Sequence, residues 1–357
     1  MKKIITIIGA RPQFIKAAAV SREFAKSKQL KEIIVHTGQH FDKNMSDIFF
    51  AEMEIPQPHY HLNINSLSHG AMTGRMLEEI EKVLLAEKPD LVMVYGDTNS
   101  TLAGALAAKK LHIKVAHVEA GLRSFNIQMP EEINRILTDR ISDILFCPTD
   151  TAIKNLKAEG FANYPCKIVK NGDVMYDAAL YYAKKSATKS KIIQKINCRG
   201  FVLTTIHREE NTDNLKNLKS LMAALNKISK EAEVIFPAHP RTQKMLKKEN
   251  IKLNFEPIDP VGYFDMIELL KNCSLVITDS GGLQKEAFFF KKFCITVREQ
   301  TEWTELVENG YNFLAGTNGE KIFKIYSALL LKKVNFNKNL YGLGDASKKI
   351  VWELEKL

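Results

Sequence analysis

Short apolar runs alternate with amphipathic stretches along the whole chain. The runs at 4–8, 32–36, 91–95, 115–118, 144–147 and 167–169 read as strands, as do 201–205, 234–237, 275–278 and 293–297. Helical periodicity fills most of the gaps, for example over 13–25, 72–86, 102–111, 131–141 and 215–229. Such regular alternation predicts an α/β protein with parallel sheets covered by helices on both faces. The stretch 177–199 is rich in Lys, Ser and Ala and carries no strand signal. It reads as a helix and linker between two Rossmann-like domains, 1–176 and 177–344. Residues 345–357 read as a final helix. Two such domains facing a central cleft would place the carboxyl ends of their strands, and hence ligands, in that cleft.

Composition narrows the class. The 357 residues are 45% hydrophobic and 26% charged, as in a soluble globular protein. No apolar run approaches the ~18 residues that would span a membrane. The first apolar run is too short for a signal-peptide core. Five cysteines (147, 166, 198, 273, 294) are scattered and form no CxxC pair, so neither disulfides nor a zinc site is expected. The expected compartment is the cytoplasm. The net charge of +10 is spread over dispersed lysines that read as solvated helix faces. It would steer an anionic small molecule and does not indicate nucleic acid. Neither G-x-G-x-x-G nor G-x-x-x-x-G-K-[ST] occurs, so NAD binding and P-loop chemistry lack their usual support.

The most informative segment is Thr278-Asp279-Ser280-Gly281-Gly282-Leu283-Gln284-Lys285-Glu286, between a buried strand and a helix. Adjacent glycines let backbone N–H groups approach an anion, and a helix N-terminus adds partial positive charge there. Glu286 lies about one turn beyond Ser280, placed to accept hydrogen bonds from ribose hydroxyls. In the bland alternative this is only a tight strand-to-helix turn. After the first strand, Arg11 and Lys16 flank Pro12 and could hold a pyrophosphate, or they could be surface cations of a capped helix. Asp97 and Glu119 each end a strand, and Glu131 opens a helix. Each has a structural explanation as a cap or a dipole partner. Directed to one cleft, the three carboxylates would raise one another's pKa and suit acid/base work near neutral pH. His207 and His239 each follow a strand of the second half, as satisfied turn residues or as the wall of a phosphate-binding cleft.

Together these segments resemble the non-hydrolysing UDP-N-acetylglucosamine 2-epimerase family over essentially the whole chain. The resemblance rests on GARPQFIK (9–16), TGQH (37–40), GDTNSTLA (96–103), HVEAGLRS (117–124) and PEEINR (130–135). It continues through IHREEN (206–211), AHPRT (238–242), DP (259–260), TDSGGLQKE (278–286) and REQTEW (298–303). It implies the GT-B architecture, a homodimer, and a C-terminal helix that crosses back to the first domain.

The chemistry it implies needs neither NAD nor a metal. A base removes the C2 proton of a UDP-2-acetamido sugar while the C1–O bond breaks. UDP and a 2-acetamidoglycal are retained, UDP re-adds to C1, and the proton returns on the opposite face of C2. By motif, Asp97, Glu119 and Glu131 are the acid/base candidates, and His207 and Arg11 stabilise the departing diphosphate. Lys16 and Arg135 join the substrate-binding set. Ser280, Gly281 and Gly282 bind phosphate, and Glu286 binds ribose. Gln39, His40, Arg75 and His239 match part of a second, regulatory nucleotide site. Gln13 stands where the family usually has Glu after Arg-Pro, and the loop between Arg123 and Pro130 is short. Met266 stands where a Phe near the uracil is common, and Trp303 where an Arg is common. These departures look most like the branch acting on UDP-2,3-diacetamido-2,3-dideoxy-glucuronate, which converts a gluco to a manno sugar for bacterial surface polysaccharide. The alternatives are a UDP-N-acetylglucosamine enzyme making UDP-N-acetylmannosamine, a hydrolysing epimerase, a GT-B glycosyltransferase, and a non-catalytic nucleotide-sugar sensor.

Overall fold

The computed structural model describes residues 1–39, 54–332 and 335–357. The chain divides into two compact units, 1–178 with 339–357, and 179–338. Against the expected joins at 176/177 and 344/345, the units meet at 178/179 and 338/339, because the return segment is already tied to the first unit at residue 341. There the Asp173 amide donates to the Tyr341 carbonyl at 2.9 Å.

The first unit is built on a sheet of seven parallel strands in the order β3-β2-β1-β4-β5-β6-β7. They are β1 (Lys2–Ile8), β2 (Leu30–His36), β3 (Tyr60–His61), β4 (Leu91–Tyr95), β5 (Lys114–Val118), β6 (Ile144–Cys147) and β7 (Lys167–Lys170). Every residue of β4 is buried, as a strand covered on both faces requires. One covering helix, His69–Glu87, turns Met76, Ile80, Val83 and Leu84 inward at helical spacing. The next, Asn99–Lys110, lays Ala103, Ala107 and Ala108 against the sheet. Its small side chains let it sit so close that a Cβ at Gly104 would lie 2.7 Å from Ile7 Cδ1.

The second unit has five parallel strands in the order β12-β11-β10-β8-β9. They are β8 (Val202–Thr205), β9 (Val234–Ile235), β10 (Leu275–Thr278), β11 (Phe293–Thr296) and β12 (Asn312–Leu314). The helix Leu215–Ile228 is started by Asn214, whose side chain accepts from the amides of residues 216 and 217. It buries Leu218, Leu221, Met222, Leu225 and Ile228 as one stripe, each worth about 1.5–3 kcal/mol of burial.

Strand order locates the reactive ends. In the first sheet the chain adds β2 and β3 on one side of β1 and β4 on the other. In the second it adds β9 on one side of β8 and β10 on the other. Loops leaving β1 and β4, and those leaving β8 and β10, therefore emerge side by side at a topological switch point. Open parallel sheets bind ligands at that position.

The final helix, Ala346–Glu355, belongs to the first unit. Asp177 caps it, accepting from the Ala346 amide at 3.1 Å and the Ser347 amide at 2.7 Å. Ser27 Oγ donates to Glu355 Oε1 at 2.6 Å at its other end.

Candidate active site

At the first switch point, β1 leads through Gly9 and Ala10 into the helix Arg11–Phe24, with Pro12 in its first turn. Gln13 joins this turn to the end of β4. Its Oε1 accepts from the Gly9 amide at 2.8 Å and the Ala10 amide at 3.0 Å. Its Nε2 donates to the Tyr95 carbonyl at 2.8 Å and to Thr101 Oγ1 at 3.0 Å. Nothing of the amide is left unsatisfied.

Lys16 is buried and forms an ion pair with Glu119, which follows β5. Asp97, which follows β4, forms an ion pair with Arg135 of the helix Pro130–Ile141. Between them sits Gly96, at φ +64°. A Cβ there would lie 3.2 Å from Lys16 Nζ and 3.4 Å from Glu119 Oε2, so both backbone and space demand glycine. Glu119 itself adopts φ +74°, a strained conformation for a residue with a side chain. It is held there by the Glu119 and Ala120 amides, which both donate to the Phe146 carbonyl at 3.1 Å.

The charge balance corrects one expectation. Crowded carboxylates were expected to raise one another's pKa. Burial does push Asp97 upward, but Arg135 and Lys16 outweigh it and hold the carboxyl below its ordinary value. Asp97 and Glu119 each pair with a cation, and Asp97 stays an anion, the state a proton-abstracting base needs.

The carboxylates of the helix Pro130–Ile141 divide. Glu131 is exposed. Glu132 is buried, accepting from the Ser124 amide and hydroxyl at 2.9 Å each and from Arg135 at 2.6 Å, so it anchors the preceding loop. Beneath them, His117 Nδ1 lies 2.7 Å from Asp139 Oδ1 and Nε2 lies 2.7 Å from the Gly96 carbonyl. Arg123 donates to the other Asp139 oxygen at 2.7 Å.

At the second switch point, β10 ends at Thr278, and Ser280 caps the helix Gly281–Phe289. A Cβ at Gly281 would overlap the Glu302 carboxylate, whereas one at Gly282 would meet nothing within 4 Å. Gly281 thus answers crowding, and Gly282 leaves the helix N-terminus open on that side. Glu286 is buried on the same helix, and the ammonium of its neighbour Lys285 sits 4.0 Å from the Trp303 ring centre. His207 follows β8, with its ring 6.0 Å from that of His239 and Nδ1 3.0 Å from Asp279.

The residues expected at a regulatory site are engaged locally. Gln39 Oε1 accepts from the Ser100 hydroxyl at 2.8 Å and amide at 3.1 Å, and Arg75 pairs with Glu78 at 3.1 Å on the surface. His239 accepts the Arg241 amide, and His40 lies outside the described residues. Among the described residues there is no cluster of His, Cys, Asp or Glu able to hold a metal, and no helix long and apolar enough to cross a membrane. The sequence reading missed Asp279, Asp139 and the bridging role of Gln13. An Asp directly before Ser-Gly-Gly was the available signal for the first. The other two act through partners distant in sequence.

This geometry can be set beside known proteins. The family model described as UDP-N-acetylglucosamine 2-epimerase matches residues 22–355. The chain is 56% identical to the UDP-2,3-diacetamido-2,3-dideoxy-D-glucuronate 2-epimerase of Pseudomonas aeruginosa, covering 99% of this chain and 100% of that one. It is similar to the crystal structure of the Methanocaldococcus jannaschii UDP-GlcNAc 2-epimerase in complex with UDP-GlcNAc and UDP, at TM-score 0.91, 46% identity and full coverage of both chains. It also matches the Neisseria meningitidis UDP-GlcNAc 2-epimerase bound to UDP-GlcNAc, at TM-score 0.90 and 31% identity over 99% of this chain and 100% of that one. With nearly the whole chain matched in sequence and in fold, it belongs to the UDP-N-acetylglucosamine 2-epimerase family.

Proposed function

We propose that this chain is a non-hydrolysing UDP-sugar 2-epimerase whose substrate is UDP-2,3-diacetamido-2,3-dideoxy-glucuronate, converted from the gluco to the manno form. The observation that carries the reaction is the setting of Asp97 and Glu119 at the ends of neighbouring strands, each against a cation and both close to Gly96. The choice of sugar is supported by the 56% identity to the Pseudomonas aeruginosa enzyme of that name.

In this reading a carboxylate takes the C2 proton, the C–H electrons form the C1=C2 bond, and the C1–O bond breaks to release UDP within the site. Re-addition of UDP to C1 and return of a proton to the other face of C2 complete the inversion. Two groups on opposite faces are required, because one group on one face would only restore the starting sugar. Asp97, Glu119 and Glu131 form the acid/base set. Arg135 and Lys16 keep Asp97 ionised and contribute to substrate binding. Arg11, His207, Ser280, Gly281 and Gly282 receive the diphosphate, and Glu286 the ribose. Positive charge and fixed dipoles aimed at the leaving group favour its departure.

We further propose a cytoplasmic homodimer, the first unit of each copy meeting through the exposed apolar side chains of Phe125, Ile127, Ile133 and Leu137. The test is NMR in deuterated water with UDP-N-acetylglucosamine and, separately, the 2,3-diacetamido-glucuronate analogue. The expected result is deuterium at C2 and a manno product from the glucuronate alone, without any acceptor, and no exchange in Asp97→Asn. Exchange with UDP-N-acetylglucosamine alone would reassign the sugar. Absence of exchange with both would overturn the epimerase reading in favour of an acceptor-dependent transferase.

A further inference from the structure

We infer that Asp279 is a positioning residue for His207. Its buried carboxylate holds the imidazole by Nδ1, leaving Nε2 as the nitrogen that meets the diphosphate. This deepens, and rests on, the reading of His207 as a diphosphate group.

The two oxygens of Asp279 do different work. The residue is completely buried at the end of β10. Its Oδ2 accepts from the His207 amide at 2.9 Å, the Arg208 amide at 3.0 Å and Asn211 Nδ2 at 3.0 Å. Those bonds fix the loop that leaves β8, a structural role that would need only one oxygen. Oδ1 accepts no hydrogen bond among the described residues, and His207 Nδ1 lies 3.0 Å from it. A carboxylate oxygen buried without a donor is costly, so the proton of the ring belongs on Nδ1. Arg241, the arginine beside His239, pairs with Glu209 at 2.7 Å.

His239 carries the opposite arrangement. Its Nδ1 accepts the Arg241 amide at 3.2 Å, which puts its proton on Nε2. Burial first, then the neighbouring His207, favour its neutral form. Two rings 6.0 Å apart therefore have different duties. His239 is a neutral donor through Nε2. His207 is backed by a carboxylate, so its Nε2 takes up a proton when the ring becomes an imidazolium and can then donate it to a phosphate oxygen.

The test reads the ring and the reaction separately. Protein labelled with ¹⁵N-histidine is examined by long-range ¹H–¹⁵N correlation under conditions where both rings are neutral, with His207→Gln and His239→Gln used for assignment. The expected spectrum shows His207 protonated at Nδ1 and His239 at Nε2. A wild-type His207 protonated at Nε2 would overturn the inference before Asp279 is altered. In Asp279→Asn the amide can keep Oδ on the loop amides while its NH₂ faces Nδ1, so the ring should flip to the Nε2–H form. Turnover should then fall by about 100-fold or more, while UDP affinity stays within about threefold. Turnover unchanged, or turnover and UDP affinity lost together with the ring unflipped, would make Asp279 a loop scaffold only and sink the inference. If wild-type protein exchanges C2 of no UDP-sugar, the epimerase reading falls, yet the ring spectra still decide the Asp279–His207 pairing.

Discussion

Glu32 is a carboxylic acid built into the first sheet, and among the described residues no cation pairs with it. Burial pushes its carboxyl up to about 7 from an ordinary 4.5, against a downward pull from the Thr6 hydroxyl, which donates to it at 2.5 Å. The folded chain therefore keeps a proton that the unfolded chain gives up near pH 4.5. Between about 4.5 and 7 the native state binds the extra proton, so this residue makes stability fall as pH rises, and the effect is constant above that window. The expected size is about 3 kcal/mol at most, reduced by the residual solvent access of a half-buried group. Urea unfolding of Glu32→Gln beside wild type should give equal stabilities near pH 4.5 and a more stable variant at pH 8. Parallel pH profiles would show that the native carboxyl ionises normally. Asp97 and Asp279 illustrate the other limit of what a sequence reveals about single residues. Their strand-end positions were legible from the apolar runs that precede them. That Asp97 is an anion depends on Arg135 and Lys16, which reach it from two other elements.

At the scale of elements, the helix Pro130–Ile141 is bound to the end of β5 by a buried charged chain. Burial would raise the Asp139 carboxyl, but His117 and Arg123 hold it below its ordinary value. Asp139→Asn leaves the buried Arg123 guanidinium and the His117 imidazole sharing a neutral amide. The expected cost is about 3–5 kcal/mol in unfolding free energy, the range for breaking a buried pair from one side. Glu159, also bonded to Arg123 at 2.6 Å, has a partly exposed side chain, and Glu159→Gln should cost under about 1 kcal/mol. Equal losses would mean that solvent reaches Asp139 as well. Because His117 Nε2 bonds the Gly96 carbonyl, the first variant should also lower turnover more than UDP affinity. The sequence made the elements themselves legible because their apolar runs are long enough to carry a period. It left out β3 and β12, whose two and three residues lie in no apolar run of four or more, whereas the two-residue β9 sits in the run 234–237. The pairing of Asp139 with His117 shows no local pattern either, since its logic is a contact between a helix and a strand.

For the whole molecule, the chain makes its first unit from both ends of the sequence. Ile350, Val351 and Leu354 of the final helix are buried, and β1 is tied to the end of that helix by Lys2, which donates to the Glu355 carbonyl at 3.3 Å. Lys167, at the start of β7, pairs with Glu353. Removing residues 345–357 would take these three large aliphatic side chains out of the core and leave the Asp177 carboxylate without the two amides it accepts from. At about 1.5–3 kcal/mol for each aliphatic side chain, the loss approaches the total stability of an ordinary domain. The second unit holds none of these contacts, since its core of Val202, Leu218, Leu221, Ile277 and Ile295 is its own. Hydrogen exchange of the truncated chain should therefore show lost protection in β1 and the helix Arg11–Phe24, with β8, β10 and the helix Leu215–Ile228 unchanged. Catalysis should fail while UDP still binds, because the proposed acid/base carboxylates stand in the unit that loosens and the proposed phosphate loop in the one that does not. Protection lost equally in both units would instead mean that the two fold as one cooperative body, and the division of labour between a carboxylate-bearing unit and a nucleotide-bearing unit would have no counterpart in stability.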